Sequence, residues 1–368
     1  MFALIDNKKQ DKEILMKNKE GKNNDKHVEN TKTGKTNDTC HVNENELKLK
    51  EIEEELKQNK FLCENFEIQS LIGSGSESEV YRMIFKKYRK EFALKKVLKN
   101  KIKTQNKNEM IIASKMKQKN IINFYAYYAL DNNNSELIIM ENAKFGNLRN
   151  FQIKTIKRSY LSESFLCYFA IQILNGLVYM HRCKIAHMDI KPQNIAIDEY
   201  LNAKIIDFSI SINYQGKRPS DELRLPFAGT NFYMPLEVLD EKKIKYKDLN
   251  KVDAYALGVL LYNLAFGYYP FNLTNDDSKD YQKISQKIQK DLKFDKEKDL
   301  SSPFIDFMSK LLEKDINKRM SIYEALEHHW IKGAELLMME KENLFNVNSF
   351  VIRLMTDEIK SFNDYMKQ

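Results

Sequence analysis

The chain has too few of the residues that staple or span. Its 368 residues contain four cysteines, with no CxxC pair and no Cys/His ligand spacing, which excludes a disulfide scaffold and a zinc finger and fits a reducing compartment. Glycine (11) and proline (6) are scarce, so collagen-like and glycine-rich linker architectures are excluded too. The apolar start Met1 to Ile5 is too short for a secretory h-region, and no uninterrupted apolar run reaches the ~20 residues of a membrane span. The expectation is a cytoplasmic protein, alternatively nuclear, with no membrane partner. A formal charge of +8 is modest for this length, and no basic patch with interleaved aromatics is present, so nucleic acid is not an expected partner.

What is there suffices for a sizeable core, since 42% of the residues are hydrophobic. The first 43 residues are the exception. Rich in Lys, Asn, Glu and Asp, they cannot bury enough surface to offset the entropy of ordering, and they read as a disordered tail. Leu47, Leu49, Ile52 and Leu56 then predict one amphipathic helix, with a linker to residue 65, that packs on the domain following it or, alternatively, serves as a short interaction helix.

Residues His187-Met-Asp-Ile-Lys-Pro-Gln-Asn194 place an acid, a cation and an amide in one loop, the set a phosphate-transfer site needs. Upstream, Gly73 and Gly75 lie in Leu71-Ile-Gly-Ser-Gly-Ser-Glu-Ser-Glu-Val80, a strand-turn-strand pattern whose backbone can close over phosphates or simply turn a hairpin. Phe92-Ala-Leu-Lys-Lys-Val97 is a short apolar strand carrying Lys95 and Lys96, the latter read as a solvated charge. Glu109 opens a segment through Met116 with apolar residues at helical spacing, and Leu137 to Ala143 is a buried strand ending in polar residues before Gly146-Asn-Leu148. Ser164 to Met180 predicts a long core helix, with Cys167 and Cys183 as buried thiols. Ala203-Lys-Ile-Ile-Asp-Phe-Ser209 is a strand ending in Asp207. Gly229 to Glu237, Asp253 to Gly258, and Lys318-Arg-Met-Ser321 ahead of His328-His-Trp330 complete the order. His328 and His329 read as surface helix-end residues with no metal role.

In this order the motifs resemble the eukaryotic protein kinases of serine/threonine type, over roughly residues 66 to 331. The resemblance implies an α+β, two-lobed protein kinase fold: a small β-rich lobe over about 66–142 and a larger helical lobe over about 143–331, with residues 332–368 as a C-terminal helical extension. It implies ATP and Mg2+ as cofactors and protein Ser/Thr hydroxyls as substrates. Gly73, Ser74, Gly75, Val80 and Ala93 would line the nucleotide, with Met140 as gatekeeper and the Glu141 to Ala143 backbone facing adenine. Lys95, held by Glu109, would orient the α- and β-phosphates; Asn194 and Asp207 would hold magnesium. Asp189 would accept the hydroxyl proton, and Lys191 would steady the γ-phosphate. Glu237 and Arg319 would form a buried structural pair, while Lys191 and Thr230 mark the serine/threonine branch.

Three departures accompany the resemblance. Ser78 stands for the third glycine of the phosphate loop, Ser209 for the glycine after Asp207-Phe208, and Met188 for the arginine that in many kinases binds a phosphate on the activation loop. Activity should therefore depend less on loop phosphorylation, although Ser220 beside Arg218 is a candidate site. Asn147 and Gln193 occupy positions where many basophilic kinases carry acids, so weak preference for arginine three residues before the target is expected. The alternative is a pseudokinase scaffold, which would usually lack one of the groups kept here as Lys95, Asp189, Asn194 and Asp207. A kinase-fold enzyme for small molecules fits less well with the intact Gly229 to Glu237 segment. Apolar residues from Leu336 to Ile359 predict a helical extension that pads the large lobe or binds a regulator such as calmodulin, although its mixed acids and bases suit calmodulin poorly.

Overall fold

Five strands, β1 (Phe66–Ser74), β2 (Ser78–Phe85), β3 (Lys90–Leu98), β4 (Phe124–Leu130) and β5 (Ser135–Glu141), form an antiparallel sheet in the order β1-β2-β3-β5-β4. This computed structural model describes residues 44–75, 78–98, 105–130, 135–156, 160–226, 228–295 and 300–333. The tail expected over 1–43 and the extension expected beyond residue 333 lie outside them. Register opposes Val80 to Lys95, Lys95 to Ile138, and Ala93 to Met140. Directly opposed residues share a sheet face, so Val80, Ala93, Lys95 and Met140 look into one cleft.

The other face is covered. Helices α1 (Glu44–Leu56) and α2 (Lys60–Asn65), the latter capped by the Asn59 side chain, lay Ile52, Leu56 and Leu62 on Tyr81, Met83, Leu94, Leu137 and Ile139. Lys96, one step from Lys95, therefore points under α1, where it is 5% exposed and meets Glu55 at 2.7 Å. The solvated lysine expected from sequence is instead half of a buried ion pair, because α1 excludes water from that face. Helix α3 (Gln105–Lys115) lies in sequence between β3 and β4 and places Ile112 and Ala113 in the main core.

That core continues into a helical lobe built on α5 (Glu163–Arg182) and α7 (Leu249–Phe266), with α4 (Leu148–Asn150), α6 (Leu236–Leu239), α8 (Tyr281–Ile288), α9 (Ser302–Leu311) and α10 (Ile322–Leu326) around them. Every residue of α7 except Lys251 is buried, as its all-round apolar sequence requires, and Gly267 at φ +82° ends it. Helix α5, at 20 residues and mean hydropathy 1.2, is long and apolar enough to cross a membrane, which the sequence reading did not count. Its window is 72% buried, and it serves here as a core helix. Three short ladders complete the lobe: β6 (Ile185–Ala186) with β9 (Ile212–Asn213), β7 (Ile195–Ile197) with β8 (Ala203–Ile205), and β10 (Glu222–Arg224) with β11 (Lys243–Lys245).

Two smaller expectations are corrected. Cys167 is buried but Cys183, capping the end of α5, is only half-buried. His328 is no surface residue: at 8% exposure it packs on Phe307, accepts the Trp330 N–H at Nδ1, and approaches Asp306 with Nε2 at 3.0 Å. With Nδ1 accepting, Nε2 carries the proton and donates to Asp306, and burial pulls the ring below the usual histidine pKa.

Candidate active site

The loop between β6 and β7 is hung from α7. Asp253, fully buried, accepts the backbone N–H of His187 at 2.9 Å and of Met188 at 2.8 Å, and meets His181 Nε2 at 2.6 Å. Burial opposes its charge, but the hydrogen bond and charge of His181, with His187 and the Met188 N–H, together outweigh that and hold its pKa below the ordinary carboxylate value. Those bonds fix Met188 at φ +72°, a left-handed conformation that non-glycine residues seldom adopt. His187 accepts the Asp189 N–H at Nδ1 (3.2 Å), so its Nε2–H donates to the Ile206 carbonyl (3.0 Å). The Ile206 N–H in turn reaches the Asn194 carbonyl at 3.0 Å. One histidine and one peptide thus tie this loop to the strand end that carries Asp207.

Asp189 is 8% exposed and held on both oxygens. Oδ2 accepts from Lys191 Nζ (2.6 Å) and Asn194 Nδ2 (2.8 Å), while Oδ1 accepts the Thr230 N–H (3.1 Å). Lys191 also donates to Thr230 Oγ1 at 2.8 Å. Gly229, at φ +102°, precedes that contact, and a Cβ there would come within 3.1 Å of Asp189 Oδ1. Glycine is required for the chain to pass so close.

On the sheet side, Lys95 Nζ meets Glu109 Oε1 at 2.8 Å and Asp207 Oδ1 at 3.5 Å. Burial would lower the Lys95 pKa, yet the two carboxylates raise it above the usual lysine value. Asp207, at φ +67°, is driven upward by burial and further downward by Lys95 and Ser209, reaching about 2. Phe208 is fully buried against Phe124 and His187, with ring centroids 6.0 and 5.7 Å away.

The remaining sequence-derived positions lie on β1, β2, β3 and β5 and just beyond β1 and β5. Gly73 opposes Val80 and Ser74 opposes Glu79, and the Gly75 N–H bonds the Ser78 carbonyl at 2.9 Å, so Ser78 begins β2. Met140 is 9% exposed beside Ala93. Glu141 directs its carboxylate to Lys204 (2.9 Å) and Asn123 (2.8 Å), and the Ala143 carbonyl accepts the Gly146 N–H (2.9 Å). His181, Asn123 and Lys204 escaped the sequence reading. Each acts through a partner distant in the chain, and no local pattern marks them.

The protein kinase domain model matches residues 66–331. The chain belongs to the protein kinase family. It is 29% identical over 282 residues to serine/threonine-protein kinase Aurora-2 of Arabidopsis thaliana, covering 75% of this chain and 93% of that one. An Aurora kinase of Patiria pectinifera is 29% identical over 279 residues, 74% of this chain and 64% of that one. Serine/threonine-protein kinase pakH of Dictyostelium discoideum is 30% identical over 274 residues, 74% of this chain and 50% of that one. These relatives put the kinase on the serine/threonine branch, with the two-lobed α+β fold. Within it, Arg319 clasps Glu237 through two bonds of 2.6 and 3.1 Å, both residues buried, joining α6 to the loop before α10.

Proposed function

We propose that this kinase transfers the γ-phosphate of ATP to serine or threonine hydroxyls of protein substrates, with Asp189 as the base that accepts the hydroxyl proton and aims the oxygen. The observation that carries the reading is the Lys95–Glu109 pair at 2.8 Å standing with Asp207 3.5 Å away, the arrangement that orients nucleotide phosphates in this family. Lys191, already within reach of Asp189 and Thr230, would steady the γ-phosphate. Gly73, Ser74, Gly75, Val80, Ala93 and Met140 would enclose the nucleotide, with the Glu141 to Ala143 backbone against adenine.

The donor set suits a hard cation. Asn194 commits its amide nitrogen to Asp189 (2.8 Å to Oδ2, 2.9 Å to the carbonyl), which leaves Oδ1 as its ligand atom, and the Asp207 carboxylate stays ionised well below neutral pH. Oxygen ligands of this kind fit Mg2+. The ion would supply charge compensation to the phosphoryl group in transit.

Asn147 spends its side chain capping α4, accepting the Asn150 N–H at 2.9 Å, which supports a substrate groove without strong arginine selection. The scattered cysteines support a reducing compartment, the cytoplasm or nucleus. The deciding experiment is transfer from Mg-ATP to a generic Ser/Thr protein substrate beside the Asp207→Asn variant. Transfer that vanishes in the variant is expected. Nucleotide binding without transfer by the wild type would leave a binding scaffold.

A further inference from the structure

The activation segment carries an anchor that the reaction does not use. Leu225 is 6% exposed, whereas Arg224 and Pro226 on either side of it are exposed. A lone buried leucine in a surface segment marks a point of attachment. Its side chain lines a cavity of about 20 Å³ shared with Met188, Ile210, Ile212, Val252 and Ala256. Among the described residues, no lysine or arginine lines that cavity. Two of its polar members are engaged elsewhere: Asp253 accepts two N–H groups and meets His181, and Thr230 bonds Lys191 and Asp189. The place beneath the segment therefore attracts an apolar side chain and repels an anion.

We propose that Leu225 is a positioning residue, an apolar latch that seats the activation segment on Met188 and thereby sets Thr230 against Asp189 and Lys191 without a phosphate. Two links carry its effect to the reaction. Met188 is bonded in sequence to Asp189, and Leu225 lies five residues before Thr230, whose N–H holds Asp189 Oδ1 at 3.1 Å. Neighbouring contacts act in the same sense. The β10–β11 ladder pairs Leu223 with Ile244, the Tyr246 N–H reaches the Asp221 carbonyl at 3.0 Å, and β6–β9 pairs Ala186 with Ile212. None of these ties is a charge-charge contact. The inference rests on Asp189 being the base.

The test uses the full chain, phosphatase-treated and untreated, with peptide kcat, ATP KM and nucleotide binding measured on each variant. Leu225→Ala is expected to lower kcat ~10–100-fold, the scale of a sub-ångström to 1 Å misplacement of reacting groups, with nucleotide binding unchanged. Leu225→Met, similar in volume, is expected to restore turnover, and phosphatase is expected to leave wild-type turnover unchanged. Met188→Arg is expected to lose activity, because a guanidinium would enter an apolar cavity. Wild-type turnover by Leu225→Ala, loss of wild-type activity on dephosphorylation, or a gain with Met188→Arg would each overturn the latch. Should Leu225→Ala fail to bind nucleotide, Leu225→Val decides: an intermediate kcat with binding intact supports the latch, and full turnover removes it. A wild type that binds nucleotide but transfers nothing would refute the catalytic reading instead, and is distinguished by that control.

Discussion

Replacing Glu55 with alanine should destabilise the small lobe far more than an ordinary surface mutation. Lys96 and Glu55 meet at 2.7 Å with side chains 6% and 11% exposed, so removal of the acid leaves an ammonium buried between α1 and β3. Breaking such a pair costs about 3–5 kcal/mol, whereas an exposed pair is worth about 0–1 kcal/mol. At about 2–4 °C per kcal/mol for a domain of this size, the lower figure corresponds to a midpoint drop of roughly 6–12 °C. Lys96→Met should also destabilise, because it removes the cation that faces the buried Glu55 carboxylate. The double variant Glu55→Leu with Lys96→Met should return close to wild type, since two apolar groups fill the same space without desolvating a charge. Thermal unfolding of wild type and the three variants at neutral pH makes the comparison. A consequence for function follows from the register, because Lys96 is the immediate neighbour of Lys95: ATP KM should rise in Glu55→Ala and recover in the double variant. A drop under about 2 °C in Glu55→Ala, or a double variant that loses as much as the two singles combined, would refute the reasoning.

Asp189→Ala should lower turnover by about 10²–10⁴-fold, the usual cost of losing a positioned base, while nucleotide still binds; unchanged turnover contradicts the assignment. Gly176→Ala should destabilise by about 1–3 kcal/mol, because its Cβ would lie 2.8 Å from Ile205 Cδ1 and 3.0 Å from the Asn120 carbonyl. Helix propensity favours alanine by about 1 kcal/mol, so a higher urea midpoint would show that α5 yields more than this packing allows. Asp207 has a folded pKa of about 2, below the ordinary value near ~4; its contribution is present above ~4 and lost as pH falls through about 2. Asp207→Asn should flatten that part of the thermal-midpoint profile against pH, and parallel profiles for both proteins would exclude it. A peptide array should show little selection for arginine three residues before the target, and strong selection would refute the reading drawn from Asn147 and Gln193.

The kinase fold was legible because its chemistry forces unusual residue types into loops, in a fixed order. An aspartate, lysine and asparagine in one loop, or a glutamate just before an apolar helical run, are costly to place unless they are used. Which side chains the covering elements would bury was not legible. Lys95 and Lys96 are identical in type and adjacent in sequence, and only strand alternation separates the cleft face from the face under α1, whose Glu55 lies 41 residues upstream. His328 was misplaced for the same reason, since its burial comes from Phe307 and Asp306 on another helix. Met188 shows the limit most sharply. By itself the substitution reads as the loss of a phosphate-binding arginine, but Ile212 and Leu225 meet it in an apolar cavity, so three separate stretches of chain together supply one apolar wall. An apolar cavity offers a phosphate no partner, so activity that survives dephosphorylation is the expected outcome.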